Sequence, residues 1–89
     1  MDVTFLLGTI AAVLTSLSFV PQAIKTVRSG DTRAISLPMY VVFVIGIVVW
    51  LIYGFLLWEI PIILANTLTL IFSSIILGVK LRNYARGER

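Results

Sequence analysis

Three long apolar runs, separated by two short polar connections and followed by a basic tail, set the pattern of this 89-residue chain. The runs cover about 3–24, 36–57 and 61–80, and each reads as one helix. At roughly 1.5 Å of rise per residue such a run reaches about 30 Å, the thickness of a bilayer's hydrocarbon. No strand alternation competes with this reading, because in lipid the backbone N–H and C=O groups must pair within their own segment. The pattern predicts an all-α membrane protein: three transmembrane helices in one domain, 1–89.

The boundaries carry signals of their own. Ser29, Gly30, Asp31 and Thr32 form a turn cluster in the first connection. Ser36 reads as an N-cap, and Pro38 fits the first turn of the second helix, where a missing N–H does no harm. Pro61 repeats the device for the third helix, with Glu59 just before it facing the positive end of the helix dipole. Pro21 falls inside the first span, where it removes a donor and frees the carbonyl of Leu17. Two outcomes are open there: a hinge, or a helix that ends early with Gln22 capping nearby carbonyls.

Composition sharpens the picture. With 60% hydrophobic residues and a mean hydropathy of +1.09, too little polar surface is left to cover a soluble globule. The stretch 6–20 has the hydrophobicity of a secretory signal, but Asp2 stands where a basic residue belongs, so it is read as a retained span. All seven basic residues fall in the first connection (Lys25, Arg28, Arg33) or the tail (Lys80, Arg82, Arg86, Arg89). Their one-sidedness predicts a cytoplasmic first connection and carboxyl terminus, with the amino terminus and the 58–60 turn outside. A net charge of +3 that only flanks spans argues against nucleic acid as a partner.

What is missing narrows the chemistry further. Cys and His are absent, which excludes disulfides and thiolate or imidazole metal sites, and no cofactor is expected. Between the expected span boundaries there is no Asp, Glu, Lys or Arg. An enzyme lacks its acids and bases here, and a proton- or sodium-coupled carrier lacks its relay.

Stepping along each span by fours and threes gathers one distinctive face per helix. The first gives Gly8, Ala11, Thr15, Ser18 and Gln22; the second gives Met39, Phe43, Gly46, Trp50 and Tyr53; the third gives Asn66, Thr69 and Ser73. Helix packing through small and hydroxylated residues accounts for such faces without any ligand. Depth adds a second reading, for Trp50 lies about 12 Å inside the outer boundary and Asn66 about 7 Å, far from the interfacial belt that suits Trp58. An indole face and a carboxamide at one level suit an uncharged polyhydroxylated ligand, with Thr15, Ser18, Gly46, Thr69 and Ser73 as candidate cavity lining. Tyr53 lies above this level and Phe43 and Met39 below it, as gates or as packing bulk.

Pro21-Gln22 with Lys25 and Arg28, Met39-Tyr40, Gly46, Trp50, Tyr53-Gly54, and Ile63-Leu64-Ala65-Asn66 before Thr69-Leu70 together resemble the bacterial SemiSWEET sugar transporters of the PQ-loop superfamily. The resemblance spans essentially the whole chain. It implies a bundle with the third helix between the first and second, and a parallel homodimer with its two-fold axis along the membrane normal. Physical reasoning agrees on the dimer, since three helices cannot enclose a sugar-sized path. It further implies a substrate site at Trp50 and Asn66, an outer gate at Tyr53 and Glu59, an inner gate at Met39 and Phe43, and a hinge at Pro21 and Gln22. The implied activity is passive uniport of a glucose- or sucrose-class sugar by alternating access in the bacterial inner membrane. One departure stands out: relatives often carry Arg at the position of Leu57 and Asp at that of Glu59. Either Glu59 accepts from Tyr53 of a second copy instead, or the outer closure is weaker here. Two other classes fit the same faces: a non-transporting accessory subunit, and a PQ-loop carrier of amino acids. The latter ligands bring charges that no buried side chain here would meet.

Overall fold

The computed structural model describes residues 2–88; Met1 and Arg89, the latter one of the tail's basic residues, lie outside that range. Its helices are α1 (Val3–Leu17), α2 (Phe19–Ser29), α3 (Leu37–Leu57) and α4 (Ile60–Ala85). Counted as membrane crossings they are three, because α1 and α2 follow each other as one long apolar rod, Val3–Ser29.

The order in space is not the order in sequence. Helix α4 packs against all three others, while the backbone of α3 reaches neither α1 nor α2. The molecule measures 50 × 24 × 14 Å. A helix with its side chains is about 10–12 Å across, so the shortest dimension holds a single row, α1/α2 then α4 then α3. The expected placement of the third span between the other two is met. A row has two open faces, and its interior is correspondingly thin: Ala12, Ala23, Ile47 and Ile76 are its buried apolar residues, with Ser16, Thr26 and Ser73 beside them. In lipid this suffices, since close backbone approach and interhelical hydrogen bonds replace the hydrophobic drive.

The first rod is interrupted at Ser18, three residues before Pro21, where the missing N–H leaves Leu17 without its helical donor. Two hydroxyls bond back onto the same stretch, Thr15 Oγ1 to the Ala11 carbonyl at 2.8 Å and Ser18 Oγ to that of Thr15. The helix does not stop there. It resumes and runs to Ser29, ending on Gly30, whose φ of 65° is open to glycine and whose N–H returns to the Thr26 carbonyl. Gln22 therefore caps no carbonyl: its Nε2 donates to Thr26 Oγ1 at 3.1 Å, and the early-ending alternative is set aside.

Ser36 caps α3 as expected, its Oγ accepting from the Met39 N–H, with Pro38 in the first turn. The other end is tighter. Trp58 takes a left-handed conformation (φ 54°), and the Glu59 N–H reaches back to the Gly54 carbonyl at 3.0 Å, closing a Schellman turn. Pro61 begins α4 and Glu59 precedes it, but the Glu59 side chain makes no capping hydrogen bond, so only its charge addresses the dipole.

Helix α4 passes the expected end at 80 and continues to Ala85, because Leu81, Arg82 and Ala85 favour helix after the apolar run has ended. A second Schellman turn follows at Gly87 (φ 99°), with the Glu88 N–H on the Asn83 carbonyl. This folds Glu88 back onto Lys80. Lys80 is thus no solvated tail cation: it is 3% exposed, and its ammonium meets both the Glu88 carboxylate and the Thr32 carbonyl. Thr32 Oγ1 donates to Glu88, and Asn83 Nδ2 donates to Thr32 Oγ1 and the Gly30 carbonyl. The first connection is pinned to the end of α4 by this cluster.

Candidate functional site

On one open face of the row lies a groove of about 360 Å³. Gly8, Ala11, Ala12 and Thr15 supply its α1 wall, Pro61, Ile62, Ala65 and Asn66 its α4 wall, and Trp50 the α3 side. The distinctive faces of all three spans therefore meet. Gly8 faces Pro61, and a Cβ there would stand in ordinary contact at 3.4 Å from the Pro61 ring. None of these side chains ionises, which leaves shape, an indole and neutral hydrogen-bonding groups as the means of recognition.

The indole of Trp50 stays 54% exposed, so the chain's own helices cover only half of it. Tyr53 fixes it from one side, the two rings meeting edge to face at 5.5 Å. Asn66 Nδ2 donates to the Ile62 carbonyl at 2.9 Å, and among the described residues Oδ1 receives no hydrogen bond. The groove thus presents an acceptor, the Asn66 carbonyl oxygen, beside an aromatic face.

Of the candidate lining residues, Thr15 is in the groove wall. Ser18 is exposed at the helix interruption with its hydroxyl turned onto its own backbone. Gly46 shares the Trp50 face with open space where a Cβ would be. Thr69 and Ser73 serve packing instead: Thr69 Oγ1 lies 3.3 Å from Ser16 Oγ, and the fully buried Ser73 donates to the Thr69 carbonyl at 2.6 Å. Neither borders the groove. Toward the 30–36 connection, Phe43 stacks on Phe19 with centroids 6.0 Å apart and lies 5.7 Å from Tyr40, while Met39 is exposed one turn below. At the opposite end Tyr53 and Glu59 are both exposed and, among the described residues, share no hydrogen bond.

Two residues were missed from sequence. Phe19 lies four residues after Thr15 and three before Gln22, on the same helical face, and belonged with that stripe. Ser16 looked like an ordinary polar residue next to Thr15; its 0% exposure and its 2.9 Å bond to the Ala65 carbonyl set it apart.

Beside the connection a wider hollow of about 710 Å³ opens, with Gln22, Lys25 and Arg33 among its lining. Arg33 and Asp31 form an exposed pair there, and the guanidinium's hydrogen bonds pull the Asp31 carboxyl down to about 2. That acid stays ionised under working conditions.

The fold and the groove define a multi-pass membrane protein made of one three-helix unit with an uncharged, half-open groove. The PQ loop repeat family matches residues 3–61. A sugar transporter SemiSWEET from Leptospira biflexa is 50% identical over 76 residues, covering 85% of this chain and 89% of the relative. A crystal structure of SemiSWEET in the inward-open conformation superposes with a TM-score of 0.89 at 36% identity, over 97% of this chain and 92% of that one. A crystal structure of a bacterial homologue of SWEET transporters gives 0.83 at 41% identity, over 91% and 98%. The chain belongs to the PQ-loop family, in its SemiSWEET branch.

Proposed function

We propose that this chain carries a neutral sugar of the glucose or sucrose class down its gradient, as a homodimer working by alternating access. The observation that supports this best is the meeting of Trp50 and Asn66 on one groove without an ionisable group, left half open by the protomer. A carboxamide oxygen without a hydrogen bond and an indole N–H, both facing acyl chains, would be poorly satisfied. A second copy related by a two-fold axis closes the face and doubles the indole and the amide around one chamber. Sugar C–H surfaces then stack on the indoles, and hydroxyls donate to Asn66 Oδ1.

In this reading Tyr53 and Glu59 close the outer mouth, Met39 and Phe43 the inner, and Pro21 with Gln22 the bend that exchanges them. With no ionisable side chain among the described residues that line the groove, uniport is favoured over coupling. The membrane is the bacterial inner membrane, with the amino terminus outside and the basic connection and tail in the cytoplasm.

The test is uptake of radiolabelled glucose and sucrose into liposomes holding the purified protein. Saturable uptake that ignores imposed proton and sodium gradients is expected. Asn66→Ala and Trp50→Ala each remove a contact of roughly 1 kcal/mol or more, so apparent affinity should fall about five- to tenfold. Unchanged kinetics in both, with dimers intact, would defeat the assignment of the site. Uptake of a neutral amino acid instead of either sugar would make the protein an amino-acid carrier, and no uptake at all an accessory subunit.

A further inference from the structure

We propose that Ser16 is a positioning residue for the sugar site: it holds the peptide that carries Asn66 in register with the groove. This rests on the reading of Asn66 given above. Thr15 and Ser16 are adjacent and diverge, the first lining the groove and the second turned into α4. Ser16 is fully buried and its Oγ donates to the carbonyl of Ala65 at 2.9 Å. That carbonyl belongs to the peptide whose N–H is Asn66's own, so the bond fixes the rotation of α4 where the carboxamide leaves it. Thr69 Oγ1, 3.3 Å away, holds the Ser16 hydroxyl from the next turn of α4.

The position matters as much as the bond. Ser16 stands two residues before the interruption at Ser18, and Ala12, one turn earlier, is buried as well. The last turn of α1 is thereby tied to α4 just ahead of the point where the rod loses its backbone bond at Pro21. Motion at the bend leaves the Thr15 to Asn66 geometry unchanged as long as this tie holds. An interhelical bond here acts on the substrate only through Asn66, so its loss should weaken binding more than turnover.

The experiment measures uptake of radiolabelled glucose, together with glucose binding by Trp50 fluorescence in a Trp58→Phe background, for Ser16→Ala, Ser16→Cys, Asn66→Ala and the Ser16→Ala/Asn66→Ala double variant. Ser16→Ala should raise KM and the binding constant about three- to fivefold with maximal rate within about twofold, the size of one interhelical hydrogen bond. Ser16→Cys keeps volume and a weak donor and should recover part of the loss. The double variant should be no worse than Asn66→Ala alone. A Ser16→Ala protein with lowered thermal stability but wild-type KM, or a double variant whose losses add, would reduce Ser16 to ordinary packing. Wild-type KM in Asn66→Ala would instead sink the underlying site.

Discussion

Gly54 shows how much a single missing side chain decides here. A Cβ at that position would lie 2.9 Å from Ile62 Cγ2, closer than side chains approach, and 3.3 Å from Ile63 Cγ1, a tight contact. The contact exists because the Schellman turn at Trp58 returns the chain onto α3 within two residues, and that turn already holds a left-handed tryptophan, a conformation that disfavours L-residues by roughly 1–2 kcal/mol. The packing of α3 against α4 brings Trp50 and Asn66 to one groove. Gly54→Ala should therefore destabilise the fold by about 1–3 kcal/mol through overpacking, although alanine is the better helix former. Pairing it with Ile62→Ala should restore part of the loss. Thermal unfolding in detergent checks both; an unchanged midpoint for Gly54→Ala would mean that the isoleucines move aside freely.

At the scale of elements the interruption at Ser18, proposed above as a hinge, is the feature with most consequence. Proline in a helix interior costs about 3 kcal/mol, yet α2 resumes after Ser18 and carries Phe19 onto Phe43. Pro21→Ala returns a donor to the Leu17 carbonyl and should make the helix continuous through Ser18. The expected protein is more thermally stable, binds glucose within about twofold of wild type, and exchanges it at least about tenfold more slowly, since a two-state element has been biased to one side. Faster exchange with lost stability would show that proline stiffens the segment instead. How far these elements were legible follows from their physics. The apolar runs gave the three crossings, and Ser36, Pro38 and Pro61 gave the starts of α3 and α4, because caps and first-turn prolines act locally. The stripe of Gly8, Ala11, Thr15, Trp50 and Asn66 was readable because helical period fixes a face. Thr69 and Ser73 could not be separated from Asn66 by spacing: a hydroxyl that bonds its own backbone and one that lines a groove look alike in sequence. The burial of Lys80 was hidden for a different reason, as it depends on a glycine seven residues later turning Glu88 back.

For the whole molecule, that cluster ties the first connection to the far end of α4 and so couples both cytoplasm-side segments of the proposed topology. The Lys80 ammonium and the Thr32 hydroxyl hold the Glu88 carboxyl below its ordinary value of about 4.5; Lys80 also attracts it by charge, while Asp31 pushes the other way. A carboxylate whose pKa is depressed by folding adds stability that is fully present above its unfolded value and is lost as pH falls through the folded one. Melting temperature should thus be level from neutral pH down to about the ordinary carboxylate range and then drop as the latch protonates. Glu88→Gln should flatten that acid drop and lower stability at neutral pH, because it leaves the Lys80 charge buried with only the Thr32 carbonyl and an amide. Removing both charges, Lys80→Met with Glu88→Gln, should lie closer to wild type than Glu88→Gln alone, since a buried ion without its partner is worse than neither. An acid transition in the Glu88→Gln protein as steep as wild type would move the titration elsewhere, and Asp31, held near 2 by Arg33, would be the next group to replace.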